Sequence, residues 1–174
     1  MSASADVLVG CFPPVANAKA TVLILGSMPG KESLRQNQYY AHPQNAFWKI
    51  MGELVGTSPQ LPYAQRLTLL KSSGIALWDV LASCKRESSL DSDIRAEAAN
   101  DFTAFFAQHP HITQVCFNGS KAEQSFRKFV LGKQELLSLK FVRLPSTSPA
   151  HAGMRYEEKL RVWRGTIGSC IYAW

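Results

Sequence analysis

The sequence predicts an α/β fold, a three-layer αβα sandwich with a central four-stranded, mainly parallel sheet. Two observations predict it. Short apolar runs at 21–25, 74–81, 112–117 and 139–144 alternate with stretches of helical period. Each run also ends on turn-forming or polar residues, namely Ser27, Asp79, Asn118 and Ser146 to Ser148. In a parallel sheet these exits share one edge, which is where open α/β sheets bind ligands.

Taken in order, residues 1–20 are small, Pro-containing and weakly periodic, and are expected to form a surface lead-in with residues 10–14 as a short strap. Thr21 to Leu25 is the first strand, stopped by Gly26-Ser27-Met28-Pro29-Gly30. Phe47, Ile50, Met51, Leu54 and Val55 recur at helical spacing, and Gly56 suits the C-cap. Leu67, Leu69 and Leu70 mark a second helix over 62–72, closed by Gly74. The run 74–81 reads as a strand interrupted by one carboxylate, Asp79. Ala98, Phe102, Phe105 and Phe106 predict an amphipathic helix over 94–108. Strand 112–117 turns at Asn118-Gly119-Ser120 into a helix over 121–130, and strand 139–144 leaves through a Pro-bounded loop, 145–153. Leu160, Trp163, Ile167 and Ile171 define a closing helix over 156–172. The expectation is one domain over all 174 residues.

Composition narrows the function. The apolar share of 46% and charged share of 18% are those of a globular protein. A net charge of +6 suits a phosphate-bearing partner, although no polybasic block is present. Cys11, Cys84, Cys116 and Cys170 form no CxxC pair, which speaks against a zinc ribbon, and the last three sit among apolar residues as expected buried thiols. No basic region precedes an apolar run at the start, and no apolar stretch reaches membrane-spanning length. The expectation is a reduced, soluble, cytoplasmic protein with no cofactor and no metal.

Several motifs fail on inspection. Gly26 to Ser33 departs from a phosphate-binding P-loop, with three residues between its glycines and Glu32 after Lys31. His42 and His151 lie on two exit loops, without the further ligands of a catalytic zinc site. His109 and His111 flank Pro110 in a turn. Ser146, Thr147 and Ser148 lack a nucleophile elbow and suit instead a rigid hydroxyl-rich loop lying close to a DNA backbone. Phe47 and Trp48 read as core, whereas Tyr39 and Tyr40 suit either core or a pocket wall. Asp79 must either pair, with Arg86 or Arg95, or lie at a site, because an unpartnered buried charge is costly. Aromatics, an imidazole and a carboxamide between Tyr39 and Trp48 can stack on a flat ring, bond its edge and hold a water, as handling an extruded nucleobase requires.

The chain resembles the uracil-DNA glycosylase superfamily, most closely the hypoxanthine (deoxyinosine) DNA glycosylase branch and next the mismatch-specific uracil/thymine branch. The blocks carrying the resemblance are Gly26-Ser-Met-Pro-Gly30, Tyr40-Ala-His-Pro-Gln-Asn-Ala-Phe-Trp48 and Trp78-Asp-Val-Leu81 with Ser89-Leu-Asp-Ser92. Phe117-Asn-Gly-Ser-Lys-Ala122 and Leu144-Pro-Ser-Thr-Ser-Pro-Ala-His151 complete the set. Two departures bear on substrate. In the mismatch branch the first turn carries a water-positioning Asn, where Met28 stands here, and in the superfamily the last loop opens with His or Asn, near Ser146 here. The hypoxanthine branch likewise lacks the first-turn amide and uses the Asn of the His-Pro-x-Asn block, which carries over to Asn45.

The resemblance implies a monofunctional glycosylase that excises a deaminated base, preferably hypoxanthine, from double-stranded DNA as a monomer. It assigns Asn45 to catalysis and Tyr40, Ser27, Met28, Asp79, Asn118 and His42 to the base. Ser146, Thr147, Ser148, Ala150 and His151 would face the DNA. The alternatives are a uracil/thymine mismatch glycosylase and a non-catalytic binder of damaged or single-stranded DNA.

Overall fold

A computed structural model describes residues 7–86, 89–91, 94–131 and 138–171. The chain runs β1 (Val7–Gly10), β2 (Val22–Gly26), α1 (Lys31–Gln36), α2 (Phe47–Val55), α3 (Tyr63–Ser72) and β3 (Ile75–Asp79). It continues through β4 (Leu81–Arg86), β5 (Arg95–Ala99), α4 (Phe102–Gln108), β6 (Gln114–Asn118) and α5 (Ser120–Phe126). A π-helical turn (Arg127–Leu131), β7 (Lys140–Leu144) and α6 (Tyr156–Ile171) complete it.

Strands β3-β2-β6-β7 form one sheet, in that order, with every pair parallel. Side chains alternate across its two faces. Val22, Ile24, Ile75, Leu77 and Cys116 join Phe47, Ile50, Leu70, Trp163 and Ile167 in one core, beneath α2, α3 and α6. Leu23, Leu25, Ala76, Trp78, Val115 and Phe117 join Phe102, Phe105 and Phe126 in the other, beneath α4 and α5. The expected three-layer sandwich is therefore present. Gly26, Asp79 and Asn118 each continue the alternation to the α2/α6 side.

The end of 74–81, after Asp79, departs from expectation. The chain bends at Val80, and Leu81–Arg86 enters a separate antiparallel sheet, β1-β4-β5. The expected helix over 94–108 is a strand followed by a shorter helix. Arg95–Ala99 is rich in Ala and Glu, good helix formers, yet it pairs with β4 across register shifts, so tertiary pairing overrides local propensity. Helix α4 begins only after Asp101, whose side chain accepts from the Ala104 amide at 3.1 Å. Asp101→Ala is expected to cost about 1 kcal/mol, read as a lower urea midpoint with an unchanged slope.

Two further departures shape the site. The described part of the lead-in, from Val7 on, is drawn into the fold rather than lying on the surface: β1 pairs with β4, Val15 bridges Leu77, and Phe12, Val15 and Ala20 are buried. Residues 31–36, to which the sequence pattern assigns no element, form α1, which ends on Asn37 in the left-handed region (φ 55°). Cys84 and Cys116 are buried as expected, while Cys170 is only half-buried.

Candidate active site

A cavity of about 900 Å³ opens at the carboxyl ends of the parallel strands, within the range of small-molecule sites. Gly26 to Gly30, Asp79 and Asn118 line it from the sheet, with Tyr39, Tyr40, His42 and Asn45 on one side. Residues 89–91 and the loop 145–151 close it on two others.

Asn45 stands at the entrance to α2. Its Oδ1 accepts from the Phe47 amide at 2.9 Å, and its own amide donates to the His42 carbonyl at 2.9 Å. The carboxamide is thus held in one orientation at the cavity wall, with its Nδ2 and one Oδ1 lone pair unused by these contacts. His42 is exposed and folds back on its own loop, its Nδ1 receiving the Gln44 amide at 3.1 Å.

Tyr40 adopts φ 54°, a left-handed conformation uncommon for a bulky residue. One face of its ring stacks on Phe47 at 4.2 Å, leaving a base the opposite face or the edge. Its hydroxyl is buried beside Gly26, where a Cβ would meet Tyr40 Oη at 2.9 Å and Asp79 Oδ1 at 2.7 Å. Only a glycine lets both groups approach the end of β2. Tyr39 instead belongs to the core, its hydroxyl donating to the Pro13 carbonyl at 3.0 Å.

Asp79 is 3% exposed, and its Oδ2 has no hydrogen-bond partner. Burial raises its carboxyl to about 7; Arg86 opposes this and Asp91 adds to it. Arg86 is itself buried and donates to the Pro29 carbonyl, so it braces the first turn and only tempers the Asp79 charge. The folded state favours the neutral acid. The stability this contributes is complete below 3.8 and is lost as pH rises through about 7.

Asn118 is committed to the scaffold at both ends of its amide. Its Nδ2 donates to Thr147 Oγ1 and its Oδ1 accepts from the Thr147 amide, both at 2.9 Å. Thr147 is turned inward, 1% exposed, against the expectation that it faces a DNA backbone. Its carbonyl also accepts from the Ala46 amide at 3.0 Å. Trp163 and Lys159 of α6 bond the Pro145 and His151 carbonyls at 2.9 and 2.8 Å. The loop is therefore pinned from β6, α2 and α6, leaving Pro149, Ala150 and His151 exposed and Ser146 and Ser148 half-buried.

Ser27 is buried and donates to Asp91 at 2.6 Å, while Ser89 accepts from the Lys31 amide at 2.8 Å. Met28 packs into the core beneath this cover while still lining the cavity. Asp91 and Lys159 had no assigned place in the sequence reading. The available signal for Asp91 was its position in the Ser89-to-Ser92 block; Lys159 carried none. Among the described residues no group of three His, Cys, Asp or Glu side chains could hold a metal ion.

A family model described as the uracil DNA glycosylase superfamily matches residues 13–165. The chain belongs to the uracil DNA glycosylase superfamily. Relatives from Methanosarcina barkeri and Methanosarcina acetivorans, each named hypoxanthine DNA glycosylase, are 43% identical over 112 residues, 64% of this chain and 71% of theirs. A solution NMR structure from Methanosarcina acetivorans, provisionally named a uracil DNA glycosylase, superposes with a TM-score of 0.75 at 34% identity. That match covers 91% of this chain and 98% of the other. The protein is accordingly a DNA glycosylase, a hydrolase of N-glycosyl bonds with DNA as substrate, and the non-catalytic reading is set aside. Among the described residues no helix of this glycosylase is long and apolar enough to cross a membrane.

Proposed function

We propose that this glycosylase hydrolyses the N-glycosidic bond of hypoxanthine flipped out of duplex DNA, with Asn45 positioning the attacking water. The observation that carries the reading is the fixed Asn45 carboxamide at the cavity wall, in a chain whose first turn holds Met28 and no amide side chain. The two relatives named for hypoxanthine support the same substrate.

The chemistry asks little of the protein beyond placement. As the C1′–N9 bond breaks, its electron pair leaves with the base and positive charge builds on the sugar. A water oxygen then bonds C1′, and one proton ends on the base. Asn45 Oδ1 holds that water through its free lone pair, which contributes orientation rather than basicity. Tyr40 walls the base, and Ser27, Met28 and His42 complete its surroundings. Ser146, Ser148, Ala150 and His151 present the last loop to the DNA backbone. A uracil/thymine mismatch activity is the second reading, favoured by the name of the superposed NMR structure.

Single-turnover assays on duplexes carrying inosine, uracil or ethenoadenine, each followed by alkali, decide between them. Strand breaks at inosine are expected to form fastest; breaks at uracil alone would replace the first reading with the second. Binding carries its own expectation. With 19 Lys and Arg against 13 Asp and Glu, duplex affinity should fall steeply with salt. The slope is about 0.9 log units per log unit of salt for each phosphate neutralised. An affinity unchanged between low and high salt would exclude backbone contacts as its source.

A further inference from the structure

We propose that Asp79 works as a neutral carboxylic acid, with the Tyr40 hydroxyl beside it, to read the lactam edge of a 6-oxopurine. The inference rests on the hypoxanthine reading above and names the group that recognises the base.

Among the described residues three buried side-chain polar atoms lack a partner: Tyr40 Oη, Thr57 Oγ1 and Asp79 Oδ2. Two of the three belong to residues lining one cavity, packed against the same face of Gly26. Buried polar groups are almost always satisfied, so a pair left open at a binding cavity marks a place where a ligand supplies the bonds. Asp79 also sits where strand alternation aims it, on the α2/α6 side with Tyr40.

A 6-oxopurine presents a donor, N1–H, next to an acceptor, C6=O. A neutral carboxyl matches both at once, its hydroxyl donating to O6 and its carbonyl oxygen accepting N1–H. A carboxylate would accept N1–H but oppose O6, and O6 takes up negative charge as the base departs. Donation to O6 therefore strengthens as the glycosidic bond breaks, which is where a hydrogen bond accelerates a reaction. The Tyr40 hydroxyl is a second donor at the same end of β2.

The surroundings favour the neutral form. Asp79 is buried, and Asp91 opposes a second negative charge nearby. Tyr39, Tyr40 and Cys11 also lie near it; burial raises the pKa of all three, and none of them carries a positive charge that would favour the carboxylate. Arg86 is the cation that opposes the trend. A bound lactam accepts from the neutral acid and so favours it further.

The test is the pH profile of single-turnover excision from a duplex containing one inosine. In the wild type, the rate should fall tenfold per pH unit on an alkaline limb. Asp79→Asn supplies a donor and an acceptor at every pH, so it should stay within about tenfold of the wild-type rate at neutral pH and lose that limb. Asp79→Ala should be slower by tenfold or more throughout. Tyr40→Phe should slow excision severalfold while duplex binding holds. An Asn variant as slow as the Ala variant with an intact fold would overturn the proposal. So would an Asn variant that keeps the alkaline limb, or a wild type without one. If Asp79→Asn does not fold, the carbon-13 shift of the wild-type Asp79 carboxyl is read at pH 7 on a duplex bearing a non-cleavable inosine analogue. A neutral carboxyl supports the proposal and an ionised one overturns it. A wild type that excises no hypoxanthine at any pH defeats the substrate reading itself, whereas the outcomes above leave that reading standing.

Discussion

Asn45→Ala is expected to slow single-turnover excision of hypoxanthine by about a hundredfold or more while affinity for the same duplex changes little. A hundredfold corresponds to about 2.7 kcal/mol of lost transition-state stabilisation, the size found when one well-aimed polar group is removed. The water contributes little to ground-state binding, so the loss should fall on the rate. The substitution also removes the hydrogen bond that Asn45 Oδ1 accepts from the Phe47 amide. That costs about 1 kcal/mol of stability, too little to unfold a typical domain. Wild-type excision by a folded Asn45→Ala protein would remove Asn45 from the mechanism. Equal losses in rate and affinity would make it a base-recognition residue instead.

Phe47→Ala should have the largest effect on stability. Phe47 is fully buried, stacks under Tyr40 at 4.2 Å, and meets Trp48 and Trp163 edge-on at 4.9 and 6.0 Å. Truncating such a ring costs about 3–5 kcal/mol through lost transfer energy and the cavity left behind. For a chain of this size that is a drop of roughly ten degrees in melting temperature, measurable by circular dichroism. Excision should fall as well, because Tyr40 loses the ring that supports its unusual backbone. Phe47→Leu keeps most of the volume and should lose distinctly less. Equal melting temperatures for Phe47→Ala and the wild type would show that the Phe47 ring contributes nothing to the core beneath α2 and α6.

The parallel sheet was legible because each of its strands is a short apolar run closed by a turn signal. The convergence of Ser27, Asp79 and Asn118 followed from that topology alone. Arg95–Ala99 was not legible as a strand, since its Ala and Glu favour helix and its pairing with β4 is a contact made far away in sequence. Asp101 did carry a readable signal, an N-cap residue just before Phe102. The direction of Thr147 was beyond reach for another reason. Whether a loop hydroxyl faces solvent or an interior amide depends on a partner, here Asn118, that lies 29 residues away. Asp79 stands out in the sequence as an anomaly, but the upward shift of its carboxyl follows from burial and from the nearby Asp91, against Arg86, and only the folded chain brings these together.

The pinning of the last loop by Asn118, Ala46, Trp163 and Lys159 has a mechanical consequence. A protein face that arrives already shaped spends little ordering entropy on contact. The deformation needed to expose a nucleotide must then come from the double helix. Bending and unstacking are cheapest where pairing is already weakened, as at a mismatched or damaged position. Helix compliance thus acts as a first filter, sorting sites along the DNA before any atom of the base has reached the cavity.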